Sequence, residues 1–196
     1  MVKRTIRNGI NVEQLSKLIA AVKAHPEMGK LRVQAHAQWQ GGGRCVIRLS
    51  PPGHNGDREK PPFSIEADSL SSLVTDGGTP NAGELLLAAL ASDLVAGFVR
   101  HASQRGIHLE SLNVETHGVV DLGHQLGLSE GAAENAGGVY VHLSVDADCP
   151  NEQLCSLWGE AQRTSPMVAV LARSAELFFG LMPIRGEAVG DRDPRT

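Results

Sequence analysis

Helical spacing and strict alternation of apolar residues divide this chain into helices and strands. Leu15, Leu18, Ile19 and Val22 fall at i, i+3, i+4 and i+7 behind an Asn11 cap, which predicts an amphipathic helix over 11–25, stopped by Pro26. Leu31, Val33, Ala35, Ala37 and Trp39 alternate with polar neighbours and predict a half-buried strand. A turn at Gln40–Gly43 then leads to a return strand with Cys45, Ile47 and Leu49 on one face. Phe63, Ile65 and Ala67 predict a third strand. The longest apolar pattern is Asn81–Gln104. Asn81 and Glu84 form a capping box there, and Leu85, Leu86, Ala89 and Leu90 start a stripe that Gly97 and Phe98 continue. Leu87, Leu94 and Val95 widen the apolar surface almost all round, the mark of a buried helix, and Gly106 suits its end. Strands follow at His108–Val120 and Val139–Val145. A second helix beyond Pro150 carries Leu154, Leu157, Trp158 and Ala161. Ser165-Pro166 breaks it before Met167–Leu171, and a last strand is expected at Ala175–Met182. Hairpins of strands around two long helices make an α+β arrangement.

The segments between these elements read as loops. Pro51–Pro62 and Asp68–Pro80 are rich in Pro, Gly, Ser and charge, and Leu122–Gly138 is Gly- and Ala-rich without periodicity. Residues 1–185 are expected to form a single domain, with 186–196 a frayed, charged tail. The chain of 196 residues, with 41% hydrophobic and 20% charged residues, is large enough to bury a core. A net charge of −4 and only 4% aromatic residues give no general attraction for nucleic acid or anionic membrane and no base-stacking platform. The uninterrupted apolar run Leu85–Ala91 is too short to span a bilayer. Cys45, Cys149 and Cys155 are odd in number and form no CxxC pair, as suits a reducing cytoplasm. No phosphate-binding glycine loop is present, and the eight histidines lack metal-ligand spacing, so neither a metal nor another cofactor is expected.

Asp93 stands out against this pattern. It lies among Leu90, Ala91, Leu94 and Val95, where an unpaired carboxylate is costly to bury. Either it sits on a wet helix edge or it points into a polar site within an apolar core. Its neighbours favour the site. His101 lies two turns further on and rather off the same face.

The stretch Thr79–Leu94, TPNAGELLLAALASDL, resembles the signature helix of the OsmC/Ohr superfamily of organic-hydroperoxide thiol peroxidases. Pro62–Asp68, Arg105-Gly106-Ile107, Leu126-Gly127-Leu128 and Thr164-Ser165-Pro166-Met167 match further family blocks in the same order, and the 11–25 helix is similar to that of a longer OsmC-like branch. The resemblance implies an OsmC-like fold in which two central helices pack on curved antiparallel sheets, and an intertwined homodimer.

For activity it implies a departure. Family peroxidases place a peroxidatic cysteine in the central helix and a resolving cysteine before the proline of the second. Here those positions hold Asp93 and Ser165. The family's Pro-Glu pair falls on Ala82-Gly83, with Glu84 one residue late. Its arginine position falls on Arg44 first and Arg48 second. A carboxylate cannot become a sulfenic acid, and a serine cannot resolve one by disulfide exchange. An ionised Asp93 does carry the charge of a thiolate. The leading expectation is therefore a protein without peroxidase activity that binds a small, partly apolar ligand in a dimer-interface pocket. The alternatives are an enzyme of another class, using Asp93 as general acid or base with Ser165, and a residual peroxidase working through Cys149 or Cys155.

Overall fold

The structure, a computed structural model, describes residues 5–50, 63–68, 78–119, 121, 123, 126–128, 138–173, 175–184 and 189–190. In chain order the elements are β1 (Ile6–Arg7), β2 (Ile10–Asn11), α1 (Val12–Ala24), a 3-10 turn (Pro26–Gly29), β3 (Gln34–Gly41), β4 (Arg44–Ser50), β5 (Phe63–Asp68) and α2 (Ala82–Gln104). They continue with β6 (Leu109–His117), β7 (Val139–Ala147), α3 (Asn151–Thr164), α4 (Pro166–Leu171), β8 (Leu177–Pro183) and β9 (Val189–Gly190). The loop expected at Pro51–Pro62 lies outside the described residues, as do residues 69–77 of the second loop and most of 122–138. The expected tail does too, apart from β9.

Chain contacts separate two compact units, Glu13–Leu85 and Met1–Val12 with Leu86–Thr196. The second holds the core. Its sheet runs β6-β7-β8-β9. The alternation read in β7 delivers Val141, Leu143 and Val145 to one face, all fully buried. Against that face lie Leu90, Leu94, Phe98 and Ala102 of α2, each with no exposed surface, and Leu154, Leu157, Trp158 and Ala161 of α3. The rings of Phe98 and Phe179 flank Trp158 with centroids 6.5 and 5.9 Å away. The buried stripe of α2 thus runs at i, i+4, i+8 and i+12 from Leu90. The stripe expected from Leu85, Leu86 and Ala89 is not fully buried, because the core elements cover one side of the helix only, and Leu86 stays 48% exposed. By length and composition α2 could cross a membrane, but its innermost stripe is spent on this sheet and on α3.

The sheet is antiparallel except for β7 and β8, which run parallel. The expected antiparallel sheets are thus present, and the β7–β8 pair is parallel because α3 and α4 intervene and return the chain to the end from which β7 started. α2 ends as its sequence suggests. Gly106 takes φ +74°, Gly106 N–H bonds Ser103 O, and Ile107 N–H bonds Ala102 O, so the last carbonyls are satisfied by a Schellman motif. The short β1–β2 hairpin, which the hydrophobic pattern does not reveal, turns on Asn8 in the left-handed region, a conformation asparagine tolerates. The Asn8 amide donates to Ser103 Oγ and Ile107 O, and its carbonyl accepts from Leu109 N–H at 3.0 Å.

The Glu13–Leu85 unit contains the antiparallel sheet β3-β4-β5. Its hairpin turns at Gly42, where φ is +59°. The expectation of a half-buried β3 does not hold within this chain: Val33 is 77% and Trp39 75% exposed, and only Ala67 and Asp68 of this unit are fully buried among the described residues. No residue of α1 is buried either, so among the described residues of the unit nothing supplies the cover that the alternation anticipates.

Candidate functional site

The break between α3 and α4 is brought against α2 by a serine and an aspartate. Pro166 cannot donate a backbone hydrogen bond, so a new helix starts there, and Ser165 caps it by accepting from Val168 N–H at 2.9 Å. The Ser165 hydroxyl proton then has one direction left. It is donated to Asp93 Oδ2 at 2.5 Å, and Met167 N–H donates to the same oxygen at 3.3 Å. Ser165 is 5% exposed, and Asp93 is half-buried rather than fully buried. The carboxylate is thus held by two donors from a segment more than seventy residues away in sequence, the kind of satisfaction a carboxylate on an apolar helix requires.

Asp93 and Ser165 open onto a cleft of about 210 Å³ lined also by Ala96, Gly97, Arg100, Thr164 and Pro166. Gly97 faces Ala161 of α3, and a Cβ there would stand 3.7 Å from it, an ordinary van der Waals contact. At the far end, Arg100 Nη2 donates to Thr164 Oγ1 at 3.1 Å and lies 3.3 Å from His101 Nε2. His101 faces Glu160, which also binds Arg105. Burial first, and then the Arg100 charge, hold His101 below its ordinary pKa of 6.5, against a smaller upward pull from Glu160.

Of the residues anticipated for the site, the structure brings Asp93 and Ser165 into direct contact. Glu84 serves the start of α2: its carboxylate accepts from Asn81 N–H at 2.7 Å, and Asn81 Oδ1 accepts from Glu84 N–H at 2.9 Å. Arg44 is exposed on β4 of the Glu13–Leu85 unit, lining a cleft there with Gln40, Cys45, Glu66 and Thr79. Arg48 donates to Gln38 across the hairpin. Arg100 is the residue that sequence reasoning missed. Its signal was present, since i+7 from Asp93 lies on nearly the same helix face. The cysteines are free, and burial followed by the Asp148 charge pushes the Cys149 thiol above its ordinary 9.0. Among the described residues no three His, Cys, Asp or Glu side chains are grouped to hold a metal ion.

Several solved structures share this architecture. An OsmC-like protein of unknown function from Vibrio cholerae superposes with a TM-score of 0.60 at 13% identity, covering 77% of this chain and 99% of that one. An OsmC-like protein from Mycoplasma pneumoniae gives 0.54 at 13% identity, over 79% and 95%. An organic hydroperoxide resistance protein OsmC from Legionella pneumophila gives 0.52 at 14% identity, over 78% and 96%. At these identities the likeness is one of fold. No curated protein matches the chain in sequence. Residues 75–177, more than half of the chain, match the family model for OsmC-like protein. The chain belongs to the OsmC-like family.

Proposed function

We propose that this chain is an OsmC-like protein without thiol peroxidase activity, which binds a small, partly apolar molecule in the cleft beside Asp93 and Ser165. The observation that carries this reading is the 2.5 Å hydrogen bond between those two side chains. They stand at the positions that the resemblance assigns to the peroxidatic and resolving cysteines. A hydrogen bond from hydroxyl to carboxylate joins α2 to the α3–α4 break without any group that a peroxide oxidises reversibly. The Cys149 thiol is a poor replacement for the lost pair. Cys149 is held protonated by burial and by Asp148, and a protonated thiol is a poor nucleophile. Ala96, Gly97 and Pro166 give the cleft an apolar wall between polar ends, the usual construction of a small-molecule site.

The alternative, acid–base chemistry with Asp93 drawing the proton from Ser165, draws on the same bond. The capping bond to Val168 and the 5% exposure of Ser165 weigh against a hydroxyl free to attack a substrate. A homodimer is part of the proposal. Val33, Trp39 and Phe63, 67–77% exposed, leave apolar surface that a second copy would cover. The free cysteines suit the cytoplasm.

Incubation with an alkyl hydroperoxide and a dithiol reductant tests the redox side. Consumption no faster than the dithiol alone is expected, and turnover matching a cysteine-bearing family member would overturn the proposal. Native mass spectrometry of the purified protein tests the ligand side, through a bound small mass that denaturation releases.

A further inference from the structure

We infer that the ligand taken by the Asp93 cleft is a small organic carboxylate, with its negative group held by Arg100. This rests on the reading of that cleft as a ligand site. Asp93 and Arg100 are seven residues apart on α2, so their Cα atoms stand about 10 Å apart along the axis, at 1.5 Å per residue, on nearly one face. Ala96 and Gly97 form the floor between them, and Thr164 to Pro166 form the facing wall. The two ends differ in what already satisfies them. Asp93 is met by the Ser165 hydroxyl and the Met167 N–H. Arg100 meets Thr164 Oγ1 and His101 Nε2, neither of them an anion, through a single nitrogen.

The neighbouring cation shows the contrast. Arg105 is paired with Glu160, and that same carboxylate also faces His101. No carboxylate pairs with Arg100 among the described residues. A half-buried guanidinium with neutral partners retains its attraction for an anion, and its planar fork matches a carboxylate. Asp93 at the other end repels an anion and so sets the orientation, carboxylate toward Arg100 and carbon chain over Ala96, Gly97 and Pro166. The cleft, of about 210 Å³, has room for a small ligand.

Hexanoate and hexanamide test this by isothermal titration calorimetry on the full chain, wild type and Arg100→Gln, with circular dichroism to confirm that the variant folds. The acid should bind wild type roughly ten- to a hundredfold more tightly than the amide, the span of one charged hydrogen bond, and Arg100→Gln should erase that difference. Equal binding of acid and amide to wild type would overturn the carboxylate inference and leave the ligand reading standing. Undiminished binding of acid to Arg100→Gln would assign the anion to another cation and also overturn it. If neither probe binds wild type the inference fails, and the ligand reading then depends on the native mass measurement alone.

Discussion

Replacing Ser165 by alanine removes two bonds at once. The α4 cap is lost when Val168 N–H loses its acceptor, a change that costs about 1 kcal/mol. The hydroxyl that meets Asp93 at 2.5 Å is lost as well, and a hydrogen bond to a charged acceptor contributes about 1.5–3 kcal/mol. Met167 N–H remains for Asp93, and water reaches the half-buried carboxylate, so the combined effect should be about 2–4 kcal/mol. For a chain of this size each kcal/mol moves Tm by roughly 2–4 °C, which puts Ser165→Ala about 5–15 °C below wild type. Asp93→Asn keeps one carbonyl oxygen but loses the charge, and should cost about 1–2 kcal/mol. The decisive quantity is the coupling from a double-mutant cycle of Ser165→Ala and Asp93→Ala, measured by urea unfolding. A coupling of about 1–3 kcal/mol is expected. A coupling below about 0.5 kcal/mol, together with an unchanged Tm for Asp93→Asn, would refute the idea that this pair links α2 to the helix break. Asp93 would then be an ordinary polar residue on a wet helix edge.

Sedimentation at micromolar concentration should give a dimer, and a stable monomer would remove the second copy from the proposal. Lower pH should also weaken the fold through His101. Because its folded pKa lies below 6.5, its contribution is fully present above about pH 6.5 and is lost as pH falls through the depressed value. His101→Gln should therefore lose less stability than wild type on acidification, and parallel losses in the two proteins would assign the acid sensitivity to other groups.

Local structure was legible in the sequence where short-range chemistry decides it. The Asn81–Glu84 capping box, the Gly106 stop and the Leu154, Leu157, Trp158 and Ala161 face all follow from spacing, and each is found in the structure. The contact of Asp93 with Ser165 spans seventy-two positions, which no periodicity encodes. It was anticipated only through the family resemblance, which places two cysteines that act together at those positions. Arg100 was overlooked because an arginine near a helix end reads as solvated surface. Only Thr164, brought in by α3, gives it a place beside the cleft. The direction of β8 and the exposure of β3 were beyond reach for a related reason. Alternation fixes which residues share a face, but neither the partner strand nor what covers that face.

The Asn8 clamp has a consequence for how the chain is made. Its bonds to Ser103, Ile107 and Leu109 join positions 95, 99 and 101 residues apart, and the whole Glu13–Leu85 unit is threaded between them. At about 5–20 residues per second of synthesis, Asn8 leaves the ribosome roughly 5–20 s before the first of its partners. Through that interval the β1–β2 hairpin, with two residues in each strand, has none of those three anchors. The clamp closes only after residues 103–109 have been made, an order imposed by the position of one asparagine in the chain.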